Sequence, residues 1–343
     1  MIEINHESFF VGGEYAGPPE ARVMRGQMFV EMLTPERVTH PWPLVLIHGA
    51  GQTAMNWMAT PDGRQGWAPW FAERGWKVCM IDQPARGRSA WQPGLDRELK
   101  SFSVSAIEDR FTAAAEAGLW PQARLHTQWP GSGKAGDPVF DQFYASQVPF
   151  LSNPESEALM RVAGGALLDR IGPAIVVTHS QAGLFGWHIA DARPGRVKAI
   201  VALEPAGPPY KDATFQTGAE RAFGLTSLPL TYDPPVTAES PLEFEREAGP
   251  EAPDLAAGWF QKGVQRRLIN LTDVPVLMLT AEASYHAVYD HCTARYLSRA
   301  GVNVGFVRLE ERKIRGNGHM VMLEKNSLEI AALVDGWLKA RVG

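Results

Sequence analysis

One serine stands between an apolar run and a helical stretch with no loop to separate them. The run AIVVTH leads directly into Ser180, and QAGLFGWHIA follows with helical character. A tight strand–turn–helix connection exposes a hydroxyl as a nucleophile, and the start of the helix favours developing negative charge. The alternative interpretation is a helix N-cap, a position that serine often fills. We treat Ser180 as a candidate nucleophile and the backbone amide of Gln181 as a candidate oxyanion donor.

A second turn could complete the oxyanion site. The run PLVLIHGAG ends in His48-Gly49, and glycines at 49 and 51 let the main chain approach a substrate carbonyl closely. We expect the amide of Ala50 to be the second donor and Gly51 to lie against the substrate. Two amides directed at an oxyanion stabilise a transition state by roughly 3 to 4 kcal/mol each.

A histidine late in the chain is the candidate base. His319 follows a Gly-Asn-Gly turn and precedes a helical stretch over residues 327–342. The alternative interpretation is a solvated loop histidine. In one known class of serine hydrolase, however, the nucleophile comes before the catalytic histidine along the chain, as Ser180 comes before His319 here. His179, beside the nucleophile, is expected to line the substrate pocket. His286 and His291 are five residues apart and share no helix face, so no metal site is predicted.

The carboxylate that should orient the base leaves a choice. Glu204 ends the run VKAIVALEP, where Pro205 stops the strand from continuing. Glu282 stands close to the end of a later strand, but its register points it elsewhere. We prefer Glu204, with Glu282 as the alternative and Asp82 as a remote third.

The elements that must position these residues alternate along the chain. Six apolar runs have strand length and no period of two, which is typical of strands buried on both faces. They cover residues 43–49, 77–84, 174–183, 197–205, 274–282 and 303–310. Helical stretches cover residues 67–75, 155–172, 184–195 and 327–342. This alternation predicts an α/β fold with a mostly parallel central sheet and helices on both faces, preceded by two antiparallel strands in FFVGG and residues 26–33.

Two long stretches interrupt that alternation. Residues 85–153 and 205–265 are rich in Trp, Pro, Gly and acidic residues, and loops of such length inside a domain are usually functional. We interpret residues 1–343 as a single domain whose two insertions form a lid over the site. Trp129, Phe143 and Tyr144 are expected to contact an apolar substrate, although packing within the insertion explains each of them equally well.

Composition excludes several classes of protein. Of 343 residues, 45% are hydrophobic and 21% charged, and the net charge is −5, so a globular core is expected and a basic nucleic-acid or membrane surface is not. Cys79 and Cys292 lack metal or redox spacing and are expected to be buried thiols. The first residues do not have the pattern of a secretory signal, which predicts a cytoplasmic location.

Five motifs carry a family resemblance. FFVGGEY, HGAG, THSQAG, LEPAG and NGHMVMLEKNS, in this order, resemble the α/β-hydrolase superfamily, and in particular a branch of bacterial esterases and lactonases of macrocyclic resorcylate lactones. In that branch a glutamate after the sixth strand completes a Ser-His-Glu triad. Two departures from the mainstream pattern favour this branch: Thr178 replaces the first glycine of GxSxG, and Ser284 replaces the usual late aspartate.

The resemblance implies a chemistry. Ser180, His319 and Glu204 would cleave a small-molecule ester or lactone with a hydrophobic body through an acyl-enzyme, without cofactor or metal ion. An amidase, a C–C hydrolase and a cofactor-free haloperoxidase remain alternatives on the same fold, and a non-catalytic small-molecule receptor is an alternative from another class. The expected partner is the substrate and not a nucleic acid or a membrane; a homodimer is left open.

Overall fold

The fold is built on an eight-stranded sheet in a computed structural model that describes residues 3–215 and 220–342. In chain order the strands are β1 (Ile4–Ala16), β2 (Val23–Pro35), β3 (Leu44–Ile47), β4 (Val78–Asp82), β5 (Ala174–His179), β6 (Val197–Leu203), β7 (Val276–Thr280) and β8 (Val304–Arg308). Their order in the sheet is β1-β2-β4-β3-β5-β6-β7-β8. Strands β3 to β8 are parallel, and β1 and β2 pair antiparallel at one edge. The predicted mostly parallel sheet is confirmed.

The central strands place the chemistry at one edge of the sheet. Every residue of β3, β4, β5 and β7 is buried, as continuous apolar runs predict for strands covered on both faces. His179 pairs with Leu203 in the parallel register of β5 and β6. Ser180 and Glu204 therefore leave the sheet side by side, at the carboxyl ends where open α/β sheets bind their ligands.

Helices cover both faces. In chain order they are α1 (Met55–Met58), α2 (Trp67–Ala72), α3 (Val104–Ile107), α4 (Ala114–Ala117), α5 (Pro138–Ala145), α6 (Asn153–Ile171), α7 (Ala182–Ala192), α8 (Asp290–Arg299) and α9 (Ser327–Val342). Helices α6, α7 and α8 pack on one face of the sheet, and α2 and α9 pack on the other. None of the helices in the described part combines the length and the apolar content that crossing a bilayer requires.

Both predicted insertions contain short elements of their own. The first, residues 85–153, contains α3 to α5 and a π-helical turn at Glu108–Thr112. Asp137 caps α5 by accepting hydrogen bonds from the amides of Val139 and Phe140, and Pro138 fits the first helical turn. The second, residues 205–265, includes two short strands, Phe244–Arg246 and Trp259–Gln261, that pair antiparallel. Residues 216–219 of this insertion lie outside the described residues.

Candidate active site

Ser180 has a left-handed backbone conformation between β5 and α7. Its φ of 57° is uncommon for a residue with a Cβ, and such strain is concentrated at functional sites. Its N–H donates to the carbonyl of Leu203 at 3.0 Å, while its own carbonyl accepts from the amides of Gly183 at 2.9 Å and Ala206 at 2.8 Å. These bonds hold the turn sharply bent, so that the hydroxyl stands at the edge of the sheet.

Thr178 takes the place of the first glycine because space is provided elsewhere. A Cβ added at Gly186, in α7, would lie 3.0 Å from the Thr178 methyl, so the glycine missing from the strand is compensated by one in the helix. A Cβ at Gly183 would lie 2.4 Å from the Pro205 ring. The first turns of α7 therefore approach β5 and the end of β6 closely.

The structure brings His319 and Glu204 together. Nδ1 of His319 lies 2.5 Å from Oε2 of Glu204, and both side chains are 1% exposed. The imidazole lies between the rings of Phe111 and His286, with ring centres 5.2 and 4.8 Å away. Because Nδ1 is bonded to the carboxylate, Nε2 is the nitrogen left for chemistry, and the Tyr285 hydroxyl lies 3.3 Å from it.

Glu204 has two further partners. Oε1 accepts from the amide of Ala281 at 2.8 Å, and Oε2 accepts from the hydroxyl of Ser284 at 2.7 Å. Burial raises the pKa of Glu204 and nearby Asp290 adds to the rise, whereas both hydrogen bonds oppose it. Ser284 thus occupies the position of the usual late aspartate, and it donates to the carboxylate of Glu204, which follows the neighbouring strand.

Burial also sets the protonation state of the base. The pKa of His319 is well below its ordinary value, chiefly because burial disfavours a charged ring and also because His179 and His286 lie close. The imidazole is therefore neutral near pH 7. A neutral imidazole with one nitrogen bonded to a carboxylate can accept a proton at the other.

The two other candidate acids have different partners. Glu282 accepts from Arg315 at 2.6 Å and from the amide of Gly316 at 2.9 Å. Asp82 accepts from Arg88 at 2.7 Å and from the amide of Ala54 at 2.8 Å. Neither contacts His319 through a hydrogen bond. Glu282 instead anchors the loop that carries the histidine.

A buried glutamate fixes the rest of that loop. Glu324 accepts from the amide of Gly318 at 2.8 Å and from the side chain of Asn317 at 2.7 Å, and its Oε1 lies 2.8 Å from Nε2 of His126 in the first insertion. A Cβ at Gly318 would lie 2.8 Å from that same His126 nitrogen. The glycine before His319 is therefore required for close packing between the loop and the insertion.

Ala50 and Gln181 line the cavity beside Ser180. Their amides donate to no acceptor within residues 3–215 and 220–342, so both are free to bind an oxyanion. Behind them, buried Arg86 donates to the Gly49 carbonyl at 2.9 Å and to the Gln181 side-chain oxygen at 3.1 Å. One guanidinium thus joins the two segments that supply the donors; burial lowers its pKa to about 9.

The cavity over Ser180 has a volume of about 270 Å³. The sheet side contributes Ser180, His179 and His319, and both insertions contribute side chains as well. The insertion residues that line it include Phe102, Arg110, Phe111, Phe150, Phe215 and Arg221. The cavity therefore combines aromatic walls with two guanidinium groups.

The predicted substrate contacts divide into two groups. His179 lines the cavity, and its Nε2 donates to the His319 carbonyl at 2.9 Å. Trp129 and Phe143 are 4% and 2% exposed, and they pack on each other in the core on the α2 and α9 face. Tyr144 donates to the Phe102 carbonyl at 3.0 Å, and Gly51 is covered by Phe102.

Trp129, Phe143, Tyr144 and Gly51 do not lie on the cavity wall. The physical reason is that the first insertion packs on the α2 and α9 face of the sheet, where Trp129 and Phe143 fill the core. Other phenylalanines from both insertions face the cavity instead. Nothing in the sequence separates the two sets, because aromatic residues of both sets lie within the insertions.

A second histidine–carboxylate pair adjoins the first. His286 lies 2.8 Å from Asp290 through Nδ1 and 3.2 Å from the Tyr289 hydroxyl through Nε2. Donor atoms of Glu204, His286 and His319 lie within 4.8 Å of one another, which is the spacing of a metal site. The two Nδ1 atoms bind carboxylates and the two Nε2 atoms face tyrosine hydroxyls, so a metal ion would have to displace one of these partners. The arrangement suits proton chemistry better.

Several of these contacts had no signal in the sequence. Arg86 and Gln181 are 95 residues apart, and the motif that contains Asn317 and Glu324 does not show that their side chains bond to each other. Ser284 could have been found, since its position is the one where a carboxylate is usual. A hydroxyl there is the natural partner for a carboxylate on the next strand.

Comparisons with known proteins agree with this architecture. No family model matches the chain. It is 47% identical over 344 residues to a protein named "Probable secreted lipase phiG" from Fungal sp. (strain ATCC 74256), with 96% of this chain and 88% of that protein aligned. A solved structure described as a novel bacterial esterase superposes with a TM-score of 0.61 at 23% identity, covering 99% of this chain and 96% of the other. That structure shows the fold.

The prediction of a cytoplasmic location is wrong. The relative that is 47% identical is named as a secreted protein. The prediction depended only on the composition of the first residues, and the point at which this sequence begins does not decide where the protein works. Buried thiols such as Cys79 and Cys292, whose pKa values burial raises to about 12, are inert in either environment.

Proposed function

The chain belongs to the α/β-hydrolase family of esterases and lipases, and from this premise we propose that it cleaves a carboxylic ester through Ser180, His319 and Glu204. One observation carries the proposal: a buried imidazole, bonded to Glu204 at 2.5 Å, lines the same cavity as a serine held at positive φ. Nucleophile, base and orienting acid are the three groups that acyl transfer requires.

The reaction proceeds in two halves. The Ser180 hydroxyl attacks the ester carbonyl while Nε2 of His319 removes its proton, and Glu204 stabilises the imidazolium that forms. The C–O bond to the alcohol then breaks, and His319 returns the proton to the leaving oxygen. Water repeats the attack on the acyl-enzyme, again with His319 as base, and releases the acid and free Ser180.

The amides of Ala50 and Gln181 would bind the oxyanion. The Gly49 carbonyl and the Ala50 N–H belong to one peptide group, so a guanidinium bonded to that carbonyl draws electron density from the N–H. Arg86 therefore strengthens the Ala50 donor and holds the two donor segments at a fixed separation. Such preorganised donors are usually the largest electrostatic contribution to acyl transfer.

Tyr285 controls access to the base in the resting enzyme. Burial raises the pKa of its hydroxyl, which stays protonated and can donate to Nε2 of His319 at 3.3 Å. The serine proton must reach the same nitrogen. Productive binding of substrate thus includes a shift of this hydrogen bond from Tyr285 to Ser180.

The walls favour an ester with an apolar body. Phe102, Phe111, Phe150 and Phe215 line the cavity, and aromatic surfaces of this kind bind acyl chains and rings. A lactone would react by the same steps, with acid and alcohol remaining in one product, as the resemblance to resorcylate lactonases implies. We place the reaction outside the cell, as the name of the fungal relative suggests.

Hydrolysis of p-nitrophenyl butyrate tests the proposal. The wild-type protein should release p-nitrophenol, and Ser180→Ala should abolish turnover without loss of the folded state. Ser298→Ala, on an exposed position of α8, is the control and should retain full activity. A folded wild-type protein that turns over no ester, or a Ser180→Ala variant that stays active, would contradict it.

A further inference from the structure

Two arginines face the same cavity as Ser180. Arg110 comes from the first insertion and Arg221 from the second. Neither forms an ion pair with a carboxylate in the described part of the chain. Guanidinium groups bind carboxylates through paired, charge-assisted hydrogen bonds. Here two guanidinium groups lie beside a candidate nucleophile, and neither is paired with a carboxylate. This arrangement indicates an anionic ligand.

Arg221 is the more enclosed of the two. It is 8% exposed, and one of its amino groups donates to the Pro208 carbonyl at 2.6 Å. Its Nε is buried and has no acceptor among the described residues. Its backbone N–H donates to the Tyr210 carbonyl at 2.8 Å, which fixes the main chain at this position. A buried cation without a counter-charge is costly, so an anion bound here would be stabilised strongly.

Arg110 is connected to the base through two aromatic side chains. Its guanidinium carbon lies 4.3 Å above the centre of the Phe215 ring. The Phe215 and Tyr285 ring centres are 5.1 Å apart, and the Tyr285 hydroxyl lies 3.3 Å from Nε2 of His319. Arg110 therefore stands within the reach of a small substrate whose ester lies at Ser180.

Arg221 lies near a different neighbour of the base. Arg221 and Tyr289 both line the cavity, and the Tyr289 hydroxyl lies 3.2 Å from Nε2 of His286. The His286 ring stacks on His319 with ring centres 4.8 Å apart. The two arginines thus lie beyond different neighbours of the same imidazole.

The cavity also contains one carboxylate, Asp212, whose charge favours the Arg221 cation from a distance. Its Oδ1 accepts from the amides of Thr214 at 3.0 Å and Phe215 at 3.4 Å, so it is tied to its own loop. Neither arginine is ion-paired with it. Two guanidinium groups against one carboxylate leave the cavity wall positive.

We propose that the substrate is an ester that bears a free carboxylate, bound by Arg221 and Arg110 while the ester group lies against Ser180. This inference rests on the proposed ester hydrolysis and adds the charge of the substrate to it. Aromatic walls bind the apolar body, and the arginines select its orientation. The carboxylate can belong to the acyl part or to the alcohol part, and the experiment separates these two cases.

Two matched pairs of esters test the proposal. The acyl pair is p-nitrophenyl hydrogen adipate and p-nitrophenyl methyl adipate; the alcohol pair is p-acetoxybenzoate and its methyl ester. In at least one pair the wild-type kcat/KM should favour the carboxylate by about tenfold or more, the effect of charged hydrogen bonds. Arg221→Met and Arg110→Met should each lower that preference, whereas exposed Arg37→Met should not.

The result separates this inference from the function on which it rests. If the neutral ester is hydrolysed as well as the charged one in both pairs, the carboxylate proposal is overturned and ester hydrolysis stands. If no ester is hydrolysed, the proposed function itself fails. Should Arg221→Met not fold, the wild-type enzyme decides: adipate should inhibit competitively and adipamide should not, and equal inhibition by both would overturn the proposal.

Discussion

Two of the buried histidine–glutamate pairs serve different purposes. His319 and Glu204 are 2.5 Å apart beneath the cavity, whereas His188 and Glu157 are 2.9 Å apart between α7 and α6. In the first pair the remaining nitrogen faces the Tyr285 hydroxyl and the cavity. In the second, the remaining nitrogen is buried without a partner in the described residues.

The difference shows that burial and pairing do not by themselves make a catalytic site. Glu157 also accepts from the amides of Ser227 at 3.0 Å and Leu228 at 3.0 Å, so it fastens the second insertion to the helices. Glu204 binds a histidine whose other nitrogen can meet a substrate. Access of the second nitrogen to the cavity is what distinguishes the two.

We expect the largest difference in activity between the two pairs when the glutamate of the cavity pair is replaced. Glu204→Gln should lower kcat by about 10³- to 10⁴-fold, because an amide no longer fixes the productive tautomer or stabilises the imidazolium. The kcat for ester hydrolysis by the wild-type protein and the variant measures this loss. Glu282→Gln is the matched control and should lose much less, since Glu282 only anchors the loop. A Glu282→Gln variant that loses activity while Glu204→Gln keeps it would show that the acid is the other carboxylate.

Replacing Arg86 tests whether catalysis by His319 and Glu204 also requires oxyanion donors that are held in position. Arg86→Met should lower kcat by about 10- to 100-fold with little change in KM, because the donors act on charge that develops in the transition state. Arg86→Lys should retain part of the activity, and added guanidinium should partly rescue Arg86→Met. Arg88→Met, from the same loop but bonded to Asp82 and Glu31, is the control. A rise in KM with kcat unchanged would contradict the assignment.

Glu157→Gln should affect stability and spare catalysis. Loss of the charge that binds His188 and two backbone amides should reduce the free energy of unfolding by about 1 to 3 kcal/mol. Urea denaturation measures the loss, and kcat/KM for p-nitrophenyl butyrate should remain within a few-fold of wild type. A large drop in kcat with unchanged stability would mean that the helix pair takes part in the reaction.

Acid should weaken the fold through histidines that are buried in the neutral form. Burial lowers the pKa of His48 and of His179 to about 3, whereas the unfolded value is about 6.5. Below pH 6.5 the unfolded chain therefore binds protons first, and stability falls until the pH approaches 3. Each group contributes up to about 1.4 kcal/mol per pH unit in this window. Urea denaturation between pH 7 and pH 5 measures the slope, and a free energy of unfolding that stays constant would contradict it.

The sequence predicted best what lies at the ends of strands. Ser180 and Glu204 follow continuous apolar runs, and the parallel register that such runs favour places them at one edge. The mostly parallel arrangement of the central sheet and the helices on both of its faces followed from the same periodicity. These predictions succeed because a strand that is buried on both faces consists of consecutive apolar residues, which the sequence shows directly.

Contacts between distant loops could not be predicted. Trp129 and Phe143 carry no sequence mark that assigns them to the core, and Phe111 and Phe215 carry none that assigns them to the cavity. The ties of Arg86 to Gly49 and of Glu324 to His126 depend on how the first insertion folds over the sheet. Such packing is decided by the whole structure, and no local pattern records it.

Covalent labelling tests the central claim most directly. A fluorophosphonate probe followed by peptide mapping should place the adduct on Ser180; the rate should be close to wild type in Glu157→Gln and far slower in Glu204→Gln. An adduct on another residue, or an equal loss of rate in both variants, would contradict the assignment of Ser180, His319 and Glu204.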